Sequence, residues 1–151
     1  MTPDELANML RSQATEIQTF VDVNLPDFVG TEAVNHFKEN FENEGFTDAT
    51  NQPWQEVKRR VNPRTRGVRR INKILHDSGE LKESITYKTE TGRVVISSDK
   101  PYAAAHNEGT STAGRGRSTK IPKRQFIGHS QKLDEKIQKE IEEGLDKILN
   151  K

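Results

Sequence analysis

Apolar residues near the start of the chain recur at the spacing of a helix. They alternate with acids and amides and are Leu6, Met9, Leu10, Ile17, Phe20 and Val21. The segment Thr2-Pro3-Asp4-Glu5 precedes them and offers a capping threonine, a proline suited to the first helical position and the glutamate of a capping box. The pattern predicts a helix over about residues 3 to 24, ended by Leu25-Pro26.

Two further apolar stripes predict helices. One follows the proline and predicts a helix that ends at Gly45; it consists of Ala33, Val34, Phe37 and Phe41. The other lies among glutamates and lysines near the C-terminus and consists of Leu133, Ile137, Ile141, Leu145 and Ile148. This second stripe predicts a C-terminal amphipathic helix.

Between the helical stripes the pattern changes to strand-like alternation. Ile85 and Tyr87 share one face of residues 84–89, residues 93–98 are rich in β-branched side chains, and Thr91-Gly92 fits a tight turn. A β-hairpin is therefore predicted, followed by a short helical turn at 102–106. We predict one α+β domain over residues 1–151, with N-terminal helices and a C-terminal amphipathic helix packed on a small antiparallel sheet.

The composition is polar for a chain that has to build its own core. Only 30% of the 151 residues are hydrophobic, against 31% charged, and there is no cysteine. Either part of the chain stays mobile until a partner binds, or the apolar residues concentrate in a few amphipathic elements. No apolar run approaches the length of a membrane span, and the first residues lack a signal-peptide pattern. We expect no membrane contact, and folding in a cytoplasm.

The net charge of +1 hides a division along the chain. Residues 1–56 carry eleven acidic and two basic side chains, a balance of −9, whereas residues 57–132 carry eighteen basic and six acidic, a balance of +12. Residues 133–151 return to −2. An acidic face and a basic face on one subunit suit head-to-tail stacking around a ring, and they also suit nucleic acid.

Two basic segments, at about 57–73 and 109–124, are predicted to be mobile loops. The first falls in the irregular-looking stretch 45–73, and the second is rich in Gly, Ser, Thr and Arg. Either they are solvated loops, or they order against DNA or an acidic neighbour. The candidate interface or DNA-facing residues are Lys58, Arg59, Arg60, Arg64, Arg66, Arg69, Arg70, Lys73, Arg115, Arg117, Lys120, Lys123 and Arg124.

Catalytic patterns are missing from the sequence. None of the four histidines has a partner at metal-binding spacing; they are His36, His76, His106 and His129. The glycines of 109–114 mimic a phosphate-binding loop, but Arg115 stands where lysine is needed. We expect no enzyme activity, no cofactor and no metal. The alternative function is nonspecific nucleic-acid binding by cations on flexible backbone, although aromatic residues near the basic runs are few.

Residues 54–129 resemble a known family. Trp54 after a turn, the segment 74–85 (ILHDSGELKESI), the hairpin, the box 101–109 (PYAAAHNEG) and the segment 121–128 (IPKRQFIG) occur in the order found in phage virion morphogenesis proteins. These are the Mu-type G proteins and the related S-type tail-completion proteins. The matching positions, each of which is also explained by fold maintenance, are Trp54, Leu75, Gly79, Leu81, Ile85, Tyr102, His106, Gly109, Pro122 and Phe126.

The resemblance implies a structural virion protein that completes the tail or joins it to the head. It implies a location at the head–tail junction or tail end, with assembly in the host bacterial cytoplasm. Its expected partners are copies of itself in a ring, with a hexamer among the candidates, neighbouring neck, connector or tail-tube proteins, and the genomic DNA in the channel. The residues themselves predict roles in the fold: Ser78-Gly79 forms a turn, Tyr102 and His106 hydrogen-bond nearby backbone, and Phe126 anchors the segment before the last helix.

Overall fold

The N-terminal region forms one continuous helical rod. The computed structural model describes residues 1–64, 67 and 71–151. Helix α1, Pro3–Thr19, begins at the predicted capping box, in which Thr2 N donates to the Glu5 carboxylate and Glu5 N to the Thr2 hydroxyl. A π-helical turn, Phe20–Asn24, then leads into α2, Leu25–Glu42.

The prediction that Leu25-Pro26 ends the first helix is wrong. Leu25 N donates to Phe20 O, five residues back, in the wider π-helical turn. Pro26 therefore falls in the first turn of α2, where a missing N–H is tolerated. Local sequence rules recognise the proline but not the π-turn that accommodates it.

The stretch after α2 is more regular than predicted. Strands β1, Gly45–Thr47, and β2, Asn51–Pro53, pair antiparallel, with Gly45 opposite Pro53. A Cβ at Gly45 would lie 2.6 Å from Gln52 O, so the close approach of these strands requires glycine. Helix α2 thus ends at Glu42, and Gly45 belongs to a strand. A short helix α3, Lys58–Val61, follows.

The predicted central hairpin is confirmed. Helix α4, Glu80–Glu83, leads into β3, Ile85–Glu90, which pairs antiparallel with β4, Arg93–Ser98. Gly92 in the turn has φ 73°, a conformation that glycine adopts without strain. The hairpin lies against α2, and a Cβ at Gly30 would come within 2.1 Å of the Tyr87 ring. Glycine therefore lets this hairpin approach the helix.

The second basic segment, predicted as a mobile loop at about 109–124, contains two short strands. Helix α5, Ala103–Glu108, is followed by strands β5, Thr110–Ala113, and β6, Thr119–Ile121, which form an irregular antiparallel hairpin. Threonines supply the strand preference that the glycine-rich composition hides. The last helix, α6, spans Gln131–Leu149 as predicted and is capped by the Ser130 side chain, which accepts from Leu133 N.

The α+β class is confirmed, with one difference in the strands. In the part of the chain that the structure describes, they form three separate two-stranded sheets. Helix α2 packs against both the β3–β4 hairpin and α6. The core includes Phe37, Phe41, Ile85, Phe126 and Leu133. Across the described residues, none of the helices has the length and apolarity that crossing a membrane requires.

Candidate assembly interface

Two residues of the family resemblance, Trp54 and Phe126, belong to one aromatic cluster. The Phe41 ring on α2 lies 5.6 Å from the Trp54 ring and 5.1 Å from the Phe126 ring, measured between centroids. Trp54 Nε1 donates to Gln125 O at 2.8 Å. The cluster holds the β1–β2 hairpin and the segment before α6 against α2. Trp54 and Phe126 are therefore buried packing residues.

Two amides, one buried and one half-buried, connect the same segments, and little in the sequence indicates them. Asn40 is 0% exposed; its Nδ2 donates to Phe126 O and its Oδ1 accepts from Thr47 N, both at 3.0 Å. Asn107 Oδ1 accepts from Phe126 N and Ile127 N. Each amide replaces hydrogen bonds that a sheet would supply. The one feature of the sequence that indicates this structural role is the position of Asn40 in the apolar stripe of α2.

Buried histidine and serine side chains reinforce this network around Thr47. His36 Nε2 lies 3.0 Å from Thr47 O, and Ser130 Oγ donates to the same carbonyl at 2.8 Å. Burial lowers the pKa of His36, although its bond to Thr47 acts in the opposite direction. His36 is thus a neutral structural histidine near neutral pH.

Arg124, predicted to lie at an interface or to face DNA, is buried within its own subunit. It is 7% exposed, its Nε donates to Gln55 O at 2.9 Å and one terminal nitrogen reaches Glu56 O at 3.4 Å. Its backbone N–H donates to His106 O. Burial, and then the neighbouring Arg59 charge, lower its pKa. The guanidinium thus connects the backbone just after β2 to the segment that precedes α6.

Tyr102 and His106 face each other on α5, but not as predicted. Their rings pack edge to face at 6.1 Å, and among the described residues the buried His106 Nδ1 has no hydrogen-bond partner. They line a cleft of about 390 Å³ together with Arg59, His76 and Arg124. Burial and then the Arg124 charge lower the pKa of His106. The expected hydrogen bonds to backbone are replaced by ring packing.

The other positions of the resemblance shape turns and the core. Gly79 has φ 85° and precedes α4, which places Leu81 and Ile85 in the core as predicted. Gly109 has φ 74°, and a Cβ there would lie 2.8 Å from Lys123 N. The remaining two positions, Leu75 and Pro122, are half-buried near these segments.

Part of the first basic segment is neutralised within the subunit. Arg60 pairs with Glu44 and lies 3.4 Å from Glu56, and Arg59 donates to the carbonyl of Lys73. Lys73 pairs with Glu42 at the end of α2. Arg60 and Lys73 therefore fasten the segment to the acidic residues 1–56, whereas Arg59 connects parts of the basic segment to each other.

Other candidate cations are exposed. Lys58 and Arg64 lie on or beside α3, Arg115 and Arg117 in the turn between β5 and β6, and Lys120 in β6, with Lys123 beyond it. Arg66, Arg69 and Arg70 lie outside the described residues. The predicted mobility of both basic loops stays a prediction, although the second one forms the β5–β6 hairpin.

Glu42 is the centre of the ion pairs, and its removal is expected to have a small, pH-dependent effect. Hydrogen bonds from Lys73, and then from Lys82 at 2.5 Å, lower its pKa from 4.5 to about 2. The stabilisation is complete above pH 4.5 and is lost as the pH falls towards 2. Because the carboxylate is half-exposed, we expect Glu42→Gln to lose at most about 1 kcal/mol of unfolding free energy at neutral pH.

Urea unfolding at about pH 7 and about pH 3 measures this effect. Glu39→Gln on the same helix is the matched control, since no salt bridge of Glu39 is present among the described residues. A loss for Glu42→Gln that is equally large at both pH values would contradict the assignment.

The protein is a small α+β subunit that exposes charged and large apolar side chains outside its core. No cluster of metal-binding side chains occurs among the residues that the structure describes. The model of the phage virion morphogenesis family matches residues 5–146 of the chain. No curated protein and no solved structure gives a match.

The chain belongs to the phage virion morphogenesis family, as its resemblance implied. Its role therefore lies in the assembly of a bacteriophage virion. The match extends well beyond residues 54–129, which carry the resemblance, and includes most of α1 and α6.

Proposed function

We propose that the chain is a structural subunit that completes the tail or joins it to the head, and that it acts by binding, without catalysis. The observation that carries this proposal is that residues of the family resemblance stabilise the fold, whereas other side chains form the exposed surface. Trp54, Phe126 and Arg124 hold the fold together, whereas charged and apolar side chains outside the core remain exposed. Such a surface suits a component that is built into a larger assembly.

The proposed partners are other copies of the chain in a ring, and neighbouring neck, connector or tail-tube proteins. The acidic N-terminal half and the basic central segment support head-to-tail contacts, because opposite charges steer association and fix its direction.

Simultaneous replacement of Arg64, Arg66, Arg69 and Arg70 is expected to preserve folding and impair assembly. Loss of folding in this variant would contradict the interface role.

Electron microscopy of particles made without the protein tests the proposed place in assembly. The proposal expects full heads and tails that fail to join, or tails that remain incomplete, with recovery when the protein is supplied. Finished infectious particles in its absence would overturn the proposal. Labelling of the protein in wild-type particles then locates it at the junction or at the tail end.

A second candidate function is nonspecific nucleic-acid binding, supported by the exposed cations of the β5–β6 hairpin. The short hairpin that follows α5 carries three exposed cations, Arg115, Arg117 and Lys120. Its turn contains no large apolar residue. Cations in such a position can contact phosphates without reading bases.

The triple replacement of Arg115, Arg117 and Lys120 by serine separates the two functions. If the hairpin binds duplex DNA, the plot of log affinity against log salt becomes shallower in the variant. Its slope decreases in magnitude by about 0.9 for each phosphate that the variant no longer neutralises. Filter binding across a salt series measures it, with a matched triple serine replacement of Lys132, Lys139 and Lys147 on α6 as control. An unchanged slope would remove DNA from the functions of this hairpin.

A further inference from the structure

The first half of α1 carries apolar side chains that its own subunit leaves exposed. α1 has no buried residue, and Leu6, Met9 and Leu10 share one face at the spacing i, i+3, i+4. Leu10 is 54% exposed. We call residues 1–10 the N-terminal arm. Three large apolar side chains on one exposed helical face are more typical of a contact surface than of a surface that meets only water.

The arm projects because α6 ends beside the middle of α1. Gln13 Nε2 approaches the carbonyls of Ile148 and Leu149, and Phe20 lies over Gly144. The two helices are thus antiparallel, and the last residues of α6 reach only as far as the second half of α1. Residues before Gln13 extend past this support, and none of them is buried.

An apolar cleft elsewhere on the subunit fits such an arm. It has a volume of about 310 Å³ and lies between the start of α2 and the β3–β4 turn, lined by Val21, Leu25, Val29 and Val94, with Arg93 at its rim. Val21 belongs to the π-helical turn, a feature that often occurs at functional sites. The cleft therefore offers aliphatic contacts for leucine and methionine side chains.

The arm cannot enter the cleft of its own chain. α1 continues without a break into the π-turn, so Leu10 and Val21 stay roughly 16 Å apart along one rigid helix. We propose that the arm binds the apolar cleft of a second copy of this chain. The contact joins two different surfaces, so it repeats from subunit to subunit and closes into a ring when the rotation permits.

Charge agrees with this occupant, and the arm supplies part of the contact area. Asp4 and Glu5 precede the apolar face of the arm, and Arg93, itself beside Glu90, stands at the rim of the cleft. A stable interface buries on the order of 1,200–2,000 Å², more than one helical arm supplies. The arm thus provides the apolar anchor, and the oppositely charged halves of adjacent subunits provide the rest.

Cross-linking between engineered cysteines tests the contact, since the chain has no native cysteine. Full-length Leu10→Cys protein mixed with Val94→Cys protein should form a disulfide-linked heterodimer under mild oxidation, because paired cysteines must approach closely. A chain carrying both changes should form a ladder of covalent oligomers. Asn8→Cys, on another face of α1, and Thr86→Cys, on the outer face of β3, are the matched controls. No Leu10–Val94 cross-link, or one no stronger than the controls, overturns the proposal.

Sedimentation gives an independent measurement. Leu10→Asp should weaken self-association at least about tenfold, because an apolar anchor is replaced by a charge, while its circular dichroism matches the wild type. Ser12→Asp introduces the same charge at an exposed position of α1 outside the apolar face, and this control should associate normally. Equal association of Leu10→Asp and wild type also overturns the proposal.

The inference rests on the proposed self-assembly, but the two can fail separately. Oligomers that form without the Leu10–Val94 cross-link remove the arm contact and leave the proposed function in place. Particles that are complete without the protein remove the proposed function, whichever cross-link forms in solution.

Discussion

Phe126→Ala is expected to lose about 3–5 kcal/mol of unfolding free energy. The ring is 1% exposed and packs against Phe41, so its removal leaves a cavity at the point where α2, β2 and the segment before α6 meet. Relaxation into that cavity is restricted, because Asn40 and Asn107 fix the backbone on either side of the ring. A domain of this size has about 5–15 kcal/mol in total, so the variant is expected to lie near the limit of folding.

Chemical denaturation followed by tryptophan fluorescence measures this loss, since Trp54 belongs to the same cluster. Tyr102→Ala is the control, because it removes an aromatic side chain of the family resemblance that is 40% exposed. We expect that control to lose about 1 kcal/mol. Equal losses in the two variants would contradict the view that Phe126 is the central packing residue.

The helices and the central hairpin were predictable because their signals are local. The stripes of α1 and α6 repeat over several turns, and the β3–β4 hairpin combines alternation with a turn that contains glycine. The boundary at Pro26 was not predictable in the same way. A proline indicates a helix end by a local rule, whereas the π-turn before it extends the helical rod.

The β5–β6 hairpin was hidden by composition. Its turn contains Gly114 and Gly116 with two arginines, which is typical of a loop, and the short strands pair with an irregular register. Only the positions of the threonines favour strands. Short strands of this kind depend on neighbouring segments, so their own sequence carries little information.

The role of Arg124 was missed for a different reason. Among many cations in a basic segment, sequence gives no sign that this guanidinium meets backbone carbonyls 68 and 69 residues away. The family resemblance identified the segment around it, but not the direction of its side chain. Long-range polar contacts of buried residues thus set the limit of what the sequence predicts here.

Asn40→Asp is expected to be as damaging as the loss of Phe126, and its effect should depend on pH. The introduced carboxylate still accepts from Thr47 N, but it faces Phe126 O with a lone pair where the amide donates a proton. A charge without a counterion at a position that is 0% exposed costs several kcal/mol, comparable to the roughly 3–5 kcal/mol of a broken buried pair. At neutral pH we therefore expect little folded protein.

Acid is expected to restore part of the loss in Asn40→Asp. Burial raises the pKa of the introduced carboxyl above its unfolded value of about 3.9, so the penalty is full above the folded pKa and shrinks as the pH falls through it towards 3.9. Once protonated, the group donates to Phe126 O as the amide does. Unfolding free energies measured against the wild type at each pH should therefore converge on acidification, whereas those of the control Asn40→Ala should stay apart. Parallel curves for both variants would mean that Asn40 acts through its volume and not through its two hydrogen bonds.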